Sequence, residues 1–467
     1  MSDLFSALTS AGGALQAFQN ALNVTQNNVS NSQTAGYATQ VPEFDALSFD
    51  PTTGLNGGVV SPGASDSRNQ YAELAVQQQT TLLGNSSQLS TSLNPIDEVF
   101  TVTGTGGISN AMDSLMQSFS AWSASPTDPN AQSAVLNAAS TVATSFQQSA
   151  AQLGQIETSV NGDLQTTVAS INQIAATIQQ YNVAKQSSTA SDPGLDAQLY
   201  SSLEQLSQYV GVQTTTNSDG TVNVLADGQI PLVLGTQLDP LSVQFDTPAN
   251  ATNPSTPPNA TIVDNNGDDV TAKIADGQLG ALLSVRNQVL PSLIGGPSDT
   301  GALNTLATQL ASSVNGLLTT AGGQPLFEQD PNSTTDAAAT LSLNSALQPS
   351  DLVAASTGPP AVSNGTALAL TNLANAQNPN LNGMTFDQFY GATASSIGSQ
   401  LSQAQTASTA QTQTVAQAQS LRQQLSGVSL DAEATRLMEL QRAYQAASQM
   451  ITVVDSLAQG LMTMIPA

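Results

Sequence analysis

The chain has 467 residues, enough for several domains of roughly 100–200 residues each, and 33 acidic against 7 basic side chains give it a net charge of −26. It contains no histidine and no cysteine, which excludes Ser-His-Asp and Cys-His catalysis, zinc sites built from these residues and iron–sulfur clusters. The few basic residues cannot neutralise a nucleic acid or an anionic membrane surface. The composition therefore favours a non-enzymatic protein without cofactor, metal ion or nucleic-acid partner.

Targeting features are also missing from the sequence. It has no run of the about 18 apolar residues that indicate a membrane span. The first residues, MSDLFSALTSAGGALQ, lack the basic region of a cleaved signal peptide. We therefore expect no membrane insertion, and either a cytosolic location or export by a route that does not cleave the chain.

Apolar residues at alternating steps of four and three run through the first thirty residues and predict a coiled-coil helix. The expected seam residues are Leu4, Leu8, Ala11, Leu15, Phe18, Leu22, Thr25 and Val29. The helix should end in a turn over residues 27–37, where asparagines tolerate left-handed backbone and Gly36 supplies a positive φ. Gly12 and Gly13 lie within the seam, where we expect them to allow close packing or to weaken the isolated helix.

A second seam of the same kind runs almost to the C-terminus. Its expected residues are Leu437, Leu440, Tyr444, Ala447, Ile451, Val454, Ala458, Leu461 and Ile465. Ser429 is a suitable N-cap, and Asp431 and Glu433 lie in the first turn, where the helix dipole favours negative charge. Because a narrow stripe buries one side of a helix only, we expect the two ends to pair as a coiled coil and the remaining apolar surface to recruit other subunits. The alternative is an ordinary helix pair inside a globular protein.

Between the ends, helical spacing predicts a stalk that includes a long proline-free helix over residues 130–181. Period-two alternation and the turn sequences at residues 217–220, 227–228 and 266–267 predict hairpins. The fold class is therefore mainly α with a small β insert. We predict a terminal axial coiled-coil domain (1–50 plus 426–467), a helical stalk domain (51–210 plus 276–425) and an inserted β domain (211–275).

Carboxylate clusters are the remaining candidate sites. The run from Asp264 to Asp269 could offer oxygen ligands to calcium, but it lacks the ligand spacing of an EF-hand loop, so a hairpin turn is the favoured interpretation. Asp97 with Glu98, and Asp431 with Glu433, could form acid/base pairs for glycoside cleavage. A helix cap or a solvated surface explains both pairs without a cleft.

Two motifs resemble the bacterial flagellar axial proteins, which comprise rod, hook and hook-associated proteins. One is ALNVTQNNVSN (21–31) followed by TAGY (34–37), in which the motif residues are Asn27, Asn28, Asn31, Gly36 and Tyr37. The other combines SGVSLDAEA (426–434) and LQRAYQA (440–446). Ala35 stands where these proteins usually have proline, and Thr39 stands where arginine is common.

Three internal stretches are similar to the family of first hook-associated proteins, which join the hook to the filament. They are QQQTTLLG (77–84), SASPTDP (123–129) and GQLGALLSVRN (277–287). The chain is short for this family, which indicates that an outer variable domain is absent.

The resemblance implies export through the flagellar type III apparatus, a chaperone that binds the C-terminal helices, and assembly as a ring on the hook. The implied partners are the hook protein and the adjoining hook-associated junction protein on the filament side. One alternative is that the chain is the hook or distal rod protein itself. Another is a surface glycan-binding or hydrolase module carried by the β insert.

Overall fold

The computed structural model describes residues 2–50, 55–100, 107–187, 192–245, 259–297, 299–330, 336–358 and 360–463. The expected seam residue Ile465 lies outside these ranges, and the side chains of Leu4 and Leu461 are likewise not described. Helices dominate the described chain, as the spacing of apolar residues predicts.

The N-terminal helix α1 (Ser2–Ser30) is followed by four short strands that the sequence analysis did not predict. Strand β1 (Gln40–Pro42) pairs with β4 (Ala64–Asp66), and β2 (Asp45–Asp50) pairs with β3 (Leu55–Val60); both pairs are antiparallel.

The β2–β3 hairpin folds back along α1. A Cβ atom built on Gly13 would lie 3.2 Å from the carbonyl oxygen of Val59, and the rings of Phe18 and Phe44 are 6.1 Å apart. Gly13 therefore allows the close packing that was expected of it, whereas Gly12 faces open space.

Four helices form the first half of the stalk: α2 (Gln70–Val99), α3 (Ile108–Ala124), α4 (Pro129–Ser187) and α5 (Pro193–Tyr209). The long helix predicted over 130–181 is confirmed and extends slightly at both ends. At 1.5 Å per residue its 59 residues span about 90 Å. Gly154 and Gly162 do not interrupt it.

The predicted β insert is present. Strands β5 (Val212–Thr216), β6 (Val222–Ala226), β7 (Ile230–Leu234) and β8 (Gln237–Leu238) form an antiparallel meander, and β9 (Ser242–Phe245) pairs with β10 (Ala260–Val263). All three predicted turns have the expected left-handed backbone, with φ of 83° at Gly220, of 46° and 70° at Asp227 and Gly228, and of 85° at Gly267.

Two asparagine side chains of α4 attach this insert to the stalk. Each one forms two hydrogen bonds with the backbone N–H and carbonyl of a single residue of the insert, as a neighbouring strand would. The side-chain amide of Asn182 in α4 donates to the carbonyl of Val222 at 2.8 Å and accepts its backbone N–H at 2.8 Å. Asn172 in α4 pairs in the same way with Leu241, at 2.8 and 2.9 Å. The buried apolar residues of the insert and of the stalk belong to one continuous core.

The chain returns to the stalk through α6 (Gly277–Ser284), a π-helical turn (Val285–Val289), α7 (Leu290–Ile294) and α8 (Ala302–Thr320). The region 320–385, which was expected to be irregular, nevertheless contains short elements. They are β11 (Phe327–Glu328), α9 (Ala337–Thr340), β12 (Ser342–Leu343) and α10 (Gly365–Asn372).

Two long helices complete the fold. Helix α11 (Phe386–Ser426) packs along α2, and α12 (Leu430–Thr463) packs along α1. A capping box between Thr385 and Gln388 starts α11. Among the described residues, no helix has the length and apolar character needed to cross a membrane.

Candidate assembly site

The two ends of the chain meet at the base of the stalk. The backbone N–H of Thr39, directly before β1, donates to the carbonyl of Ser426, the last residue of α11, at 2.9 Å. The Ser426 hydroxyl accepts the backbone N–H of Asn69 at 2.9 Å. Because the end of α1 lies beside the beginning of α12 and the helices contact each other, they run antiparallel.

The predicted seam residues differ in how deeply this helix pair buries them. Ala11, Thr25 and Ala447 are buried, whereas Leu8 and Val29 are exposed. The larger seam side chains with intermediate burial are Leu15, Phe18, Leu22, Leu437, Leu440, Tyr444, Ile451 and Val454. Ala17 and Ala21 are also buried on α1. The pair is therefore closely packed at small residues and leaves the large apolar side chains partly open to solvent.

A second apolar stripe on α12 was not recognised in the sequence. Ala446, Met450, Val453 and Leu457 follow the steps of four, three and four that place side chains on one helix face. All four are exposed, and Met450, Val453 and Leu457 each have more than half of their surface open to solvent. This outer stripe, distinct from the α1-facing seam, remains uncovered in the single chain.

Asn28 organises the turn that follows α1. Its side-chain amide donates to the carbonyl of Gln40 at 2.8 Å, and the N–H of Gln40 donates to Asn28 Oδ1 at 3.0 Å. The hydroxyl of Tyr37 donates to the same oxygen at 2.9 Å. Asn28 is fully buried. One motif residue thus joins the end of α1 to β1 and to a second motif residue.

Tyr37 and Gly36 of the N-terminal motif lie in a partly buried environment. Burial, followed by the charges of Glu433 and Asp66, raises the pKa of the Tyr37 hydroxyl to about 12. Gly36 beside it has a φ of 75°, and a Cβ there would overlap the carbonyl oxygen of Ala197 in α5. Gly36 therefore lets the turn pack closely against α5 of the stalk.

The other two motif asparagines stabilise the turn locally. The Asn31 side-chain amide donates to the carbonyl of Asn27 at 3.0 Å, and the hydroxyl of Thr34 donates to Asn31 Oδ1 at 3.1 Å. Asn27 contributes its backbone here, and its side chain is exposed.

An ion-pair network missed in the sequence holds this turn to the stalk. Glu73 in α2 accepts from Arg68 at 2.8 Å through one oxygen and from Arg422 in α11 at 3.2 Å through the other. Arg68 also donates to the carbonyl of Gly36 at 2.8 Å and lies 3.7 Å from the ring centroid of Tyr200. Arg422 pairs with Glu204 in α5 at 2.7 Å. Three stalk helices thereby meet at the turn.

The carboxylate clusters have local structural roles. Asp264 Oδ1 accepts the backbone N–H groups of Asn266 and Asp268 at 2.9 and 3.0 Å, and such hydrogen bonding lowers its pKa. This arrangement is a turn. Over the ranges that the structure describes, no cluster of three or more acidic residues is arranged to hold a metal ion. Asp97 and Glu98 lie in the last turn of α2, and Asp431 and Glu433 in the first turn of α12.

A long helical stalk whose two termini join at one end through paired, incompletely buried helices defines a structural assembly protein. The profile of the family described as "Flagellar hook-associated protein FlgK helical domain" matches residues 93–327, half of the chain. A second profile, "Flagellar basal body rod FlgEFG protein C-terminal", matches residues 419–464. The chain belongs to the flagellar hook-associated protein FlgK family.

Known relatives agree with this assignment. Flagellar hook-associated protein 1 of Bacillus subtilis is 24% identical over 98% of this chain and 97% of its own length. The protein of the same name from Salmonella typhimurium is 26% identical over 61% of this chain, and the match spans about half of that relative (52%). The solved structure of the flagellar hook junction protein FlgK from Burkholderia pseudomallei shares the fold, with a TM-score of 0.63 at 19% identity, over 75% of this chain and 99% of its own.

Proposed function

We propose that this chain is a structural adaptor of the bacterial flagellum, which assembles at the distal end of the hook and forms the junction with the filament. The observation that carries this proposal is the alignment over 98% of the chain with a protein named flagellar hook-associated protein 1. The match of the stalk to the FlgK helical-domain profile supports a junction protein over the hook or distal rod protein.

The proposed mechanism is coupled folding and packing. The large seam residues of α1 and α12 are half-buried in the single chain, and the outer stripe of α12 is exposed. Copies placed side by side in a ring would bury both surfaces, at about 1.5–3 kcal/mol for each large apolar side chain that becomes fully covered. The terminal axial domain (1–50 plus 426–467) makes these contacts, the stalk domain spaces them and the β domain faces outward.

The proposed partners follow from the same position in the flagellum. They are the hook protein below the ring, the adjoining hook-associated junction protein above it, and an export chaperone that covers the C-terminal helices before assembly. Export of the uncleaved chain through the flagellar apparatus delivers it to the extracellular organelle. The exposed Met450, Val453 and Leu457 are the surface that such a chaperone would shield.

Deletion of the gene tests the junction role. We expect hooks to persist without filaments while filament subunits accumulate in the medium, and we expect the wild-type gene to restore filaments. Filaments that grow normally on hooks lacking this chain would contradict the proposal.

A matched pair of variants tests the outer stripe. Met450→Asp combined with Val453→Asp should prevent incorporation into hooks, because it places charge in a surface that becomes buried. Gln441→Asp adds charge to an exposed position on another face of the same helix and should be incorporated normally. A peptidoglycan-hydrolysis assay and a glycan array on the purified chain test the alternative activity of the β insert, and we expect both to be negative.

A further inference from the structure

A groove next to the crossing of the chain ends has an incomplete set of hydrogen bonds. It has a volume of about 550 Å³ and lies between the start of α12 and the segments that flank β1 and β4. Thr39, Ser67 and Glu433 line it, and each has a buried oxygen with no hydrogen-bond partner among the described residues: Thr39 Oγ1, Ser67 Oγ and Glu433 Oε2. A single water occupies about 30 Å³, so the groove has room for a side chain.

Glu433 is the residue that most requires a partner. Only 3% of its surface is exposed, and its other oxygen, Oε1, lies 3.9 Å from Nη1 of Arg436, which is longer than a hydrogen bond. Arg436 also lines the groove, and its side chain is 39% exposed. A buried carboxylate oxygen without a donor, such as Glu433 Oε2, is unfavourable, because it has lost water and gained no equivalent contact. Arg436 does not supply a donor to Glu433 Oε2, so the groove favours a further cation with several N–H donors.

Few basic side chains of this protein are available to pair with Glu433. Three arginines and one lysine are engaged in close ion pairs with acidic partners; they are Arg68, Arg286, Arg422 and Lys185. Of the described basic residues, Lys273 and Arg442 have no ion pair. Lys273 lies in the β insert, whereas Arg442 is exposed on α12 itself.

The positions of Glu433 and Arg442 suit a contact between successive copies. Nine helical residues separate them, which corresponds to two and a half turns, so the side chains leave opposite sides of α12 about 13.5 Å apart along its axis. A head-to-tail ring uses two different faces of each subunit. Arg442 also shares its side of the helix with the exposed outer stripe.

We propose that Arg442 of a second copy enters this groove and pairs with Glu433, with the hydroxyls of Thr39 and Ser67 accepting its remaining N–H groups. Guanidinium is the group best suited to this site, because it presents five donors in one plane. The contact deepens the proposed junction role and rests on it, since it requires copies assembled side by side. It would set the register between neighbours, which the apolar stripes alone leave free to slide.

The absence of native cysteine allows a clean cross-linking test. One full-length copy carries Ser429→Cys, which lines the groove one turn before Glu433, and a second, differently tagged copy carries Ala446→Cys, one turn beyond Arg442 on its exposed face. Both are expressed in cells whose own gene is deleted, and isolated hooks are treated with a short bis-maleimide. We expect a cross-linked heterodimer. Replacing Ala446→Cys by Gln441→Cys, on another side of the helix, should give none.

Two charge variants separate this contact from general packing. Arg442→Gln in the Ala446→Cys copy, or Glu433→Gln in the Ser429→Cys copy, should lower the cross-linking yield about tenfold or more, as expected for a close ion pair. Combining the two should lower it no further. Arg436→Gln should leave it unchanged.

The outcomes distinguish the two proposals. If hooks contain both copies and bear filaments but give no heterodimer, or if Arg442→Gln leaves the yield intact, the Arg442 contact is wrong and the junction role stands. If the wild-type chain does not enter hooks at all, both proposals fail together.

Discussion

Asn28 and Gln40 form a reciprocal pair across the turn after α1, each donating to the other at 2.8 and 3.0 Å. Asn28→Ala would leave the buried N–H of Gln40 and the hydroxyl of Tyr37 without an acceptor, at about 1–3 kcal/mol for each group. We expect faster hydrogen exchange over residues 17–30 and loss of hook incorporation. Asn23→Ala, at an exposed position of the same helix, is the control. Equal exchange in both variants would contradict this role of Asn28.

Replacing a helical glycine of the stalk by alanine should lower stability at one position and raise it at another. A Cβ on Gly84 of α2 would overlap the carbonyl oxygen of Gln208 in α5, whereas Gly154 of α4 has nothing within 4 Å. We expect Gly84→Ala to lower the free energy of unfolding by about 1–3 kcal/mol and Gly154→Ala to raise it by about 0.5–1 kcal/mol. Urea unfolding followed by the fluorescence of Trp122, the only tryptophan and a buried one, measures both.

A pair of carboxylates between α3 and α11 should make stability depend on pH. Partial burial, and then the nearby Asp113, raises the pKa of Asp387 to about 6, compared with about 3.9 in an unfolded chain. The folded state therefore binds this proton more tightly, and the associated stability is lost as the pH rises from about 4 to about 6.

Replacing Asp113 should reduce this pH dependence, although the part of the pKa shift that burial causes remains. We expect Asp113→Asn to raise the melting temperature at pH 7.5 and to leave it nearly unchanged at pH 4. The gain should stay below about 1 kcal/mol, because water screens both exposed side chains. Asp163→Asn, which removes an exposed carboxylate from α4, should show no such difference between the two pH values. A gain from Asp113→Asn that is equally large at pH 4 would exclude this explanation.

Protection of the terminal helices from amide hydrogen exchange should depend on assembly of the chain into hooks. In the isolated monomer we expect residues 1–30 and 430–465 to exchange their amide protons much faster than the core of α4, because α1 and α12 lie outside the continuous apolar core of the stalk. In assembled hooks the same residues should become protected. Equal protection of the terminal helices and α4 in the monomer would show that they need no neighbour.

The sequence predicted the helices better than the contacts between them. Both terminal helices and α4 carry regular apolar spacing over many turns, so their existence could be predicted. The β2–β3 hairpin could not, because β3 reads LNGGVV, whose two central glycines weaken any strand pattern. Helix α10 was not predicted because its eight residues form too few turns to establish a helical period.

For the candidate site, the sequence likewise identified individual residues but not the contacts between them. The motif identified Asn28, Gly36 and Tyr37, but no local pattern connects Asn28 to Gln40. The Glu73–Arg422 pair joins residues 349 positions apart, and only the packing of α11 along α2 brings them together.

The buried pair of Arg286 and Glu157 gives a test in which two substitutions should be milder than one. Arg286, in the π-helical turn, is 1% exposed; its Nη2 lies 2.8 Å from Glu157 of α4, and its Nε donates to Asn161 at 2.7 Å. Burial raises the pKa of Glu157 and lowers that of Arg286, although each partner opposes the shift. Both pKa shifts have the direction that loss of water produces, because burial disfavours the charged form of each group.

Removing one charge should accordingly be worse than removing both. We expect Glu157→Leu to lower the free energy of unfolding by about 3–5 kcal/mol, because it leaves a buried guanidinium without its counter-charge. Glu157→Leu combined with Arg286→Met should recover most of that loss, since similar apolar volume fills the site. Urea unfolding of the two variants and of the wild type measures these differences in the free energy of unfolding. A double variant as unstable as the single one would mean that the stalk depends on the ion pair itself.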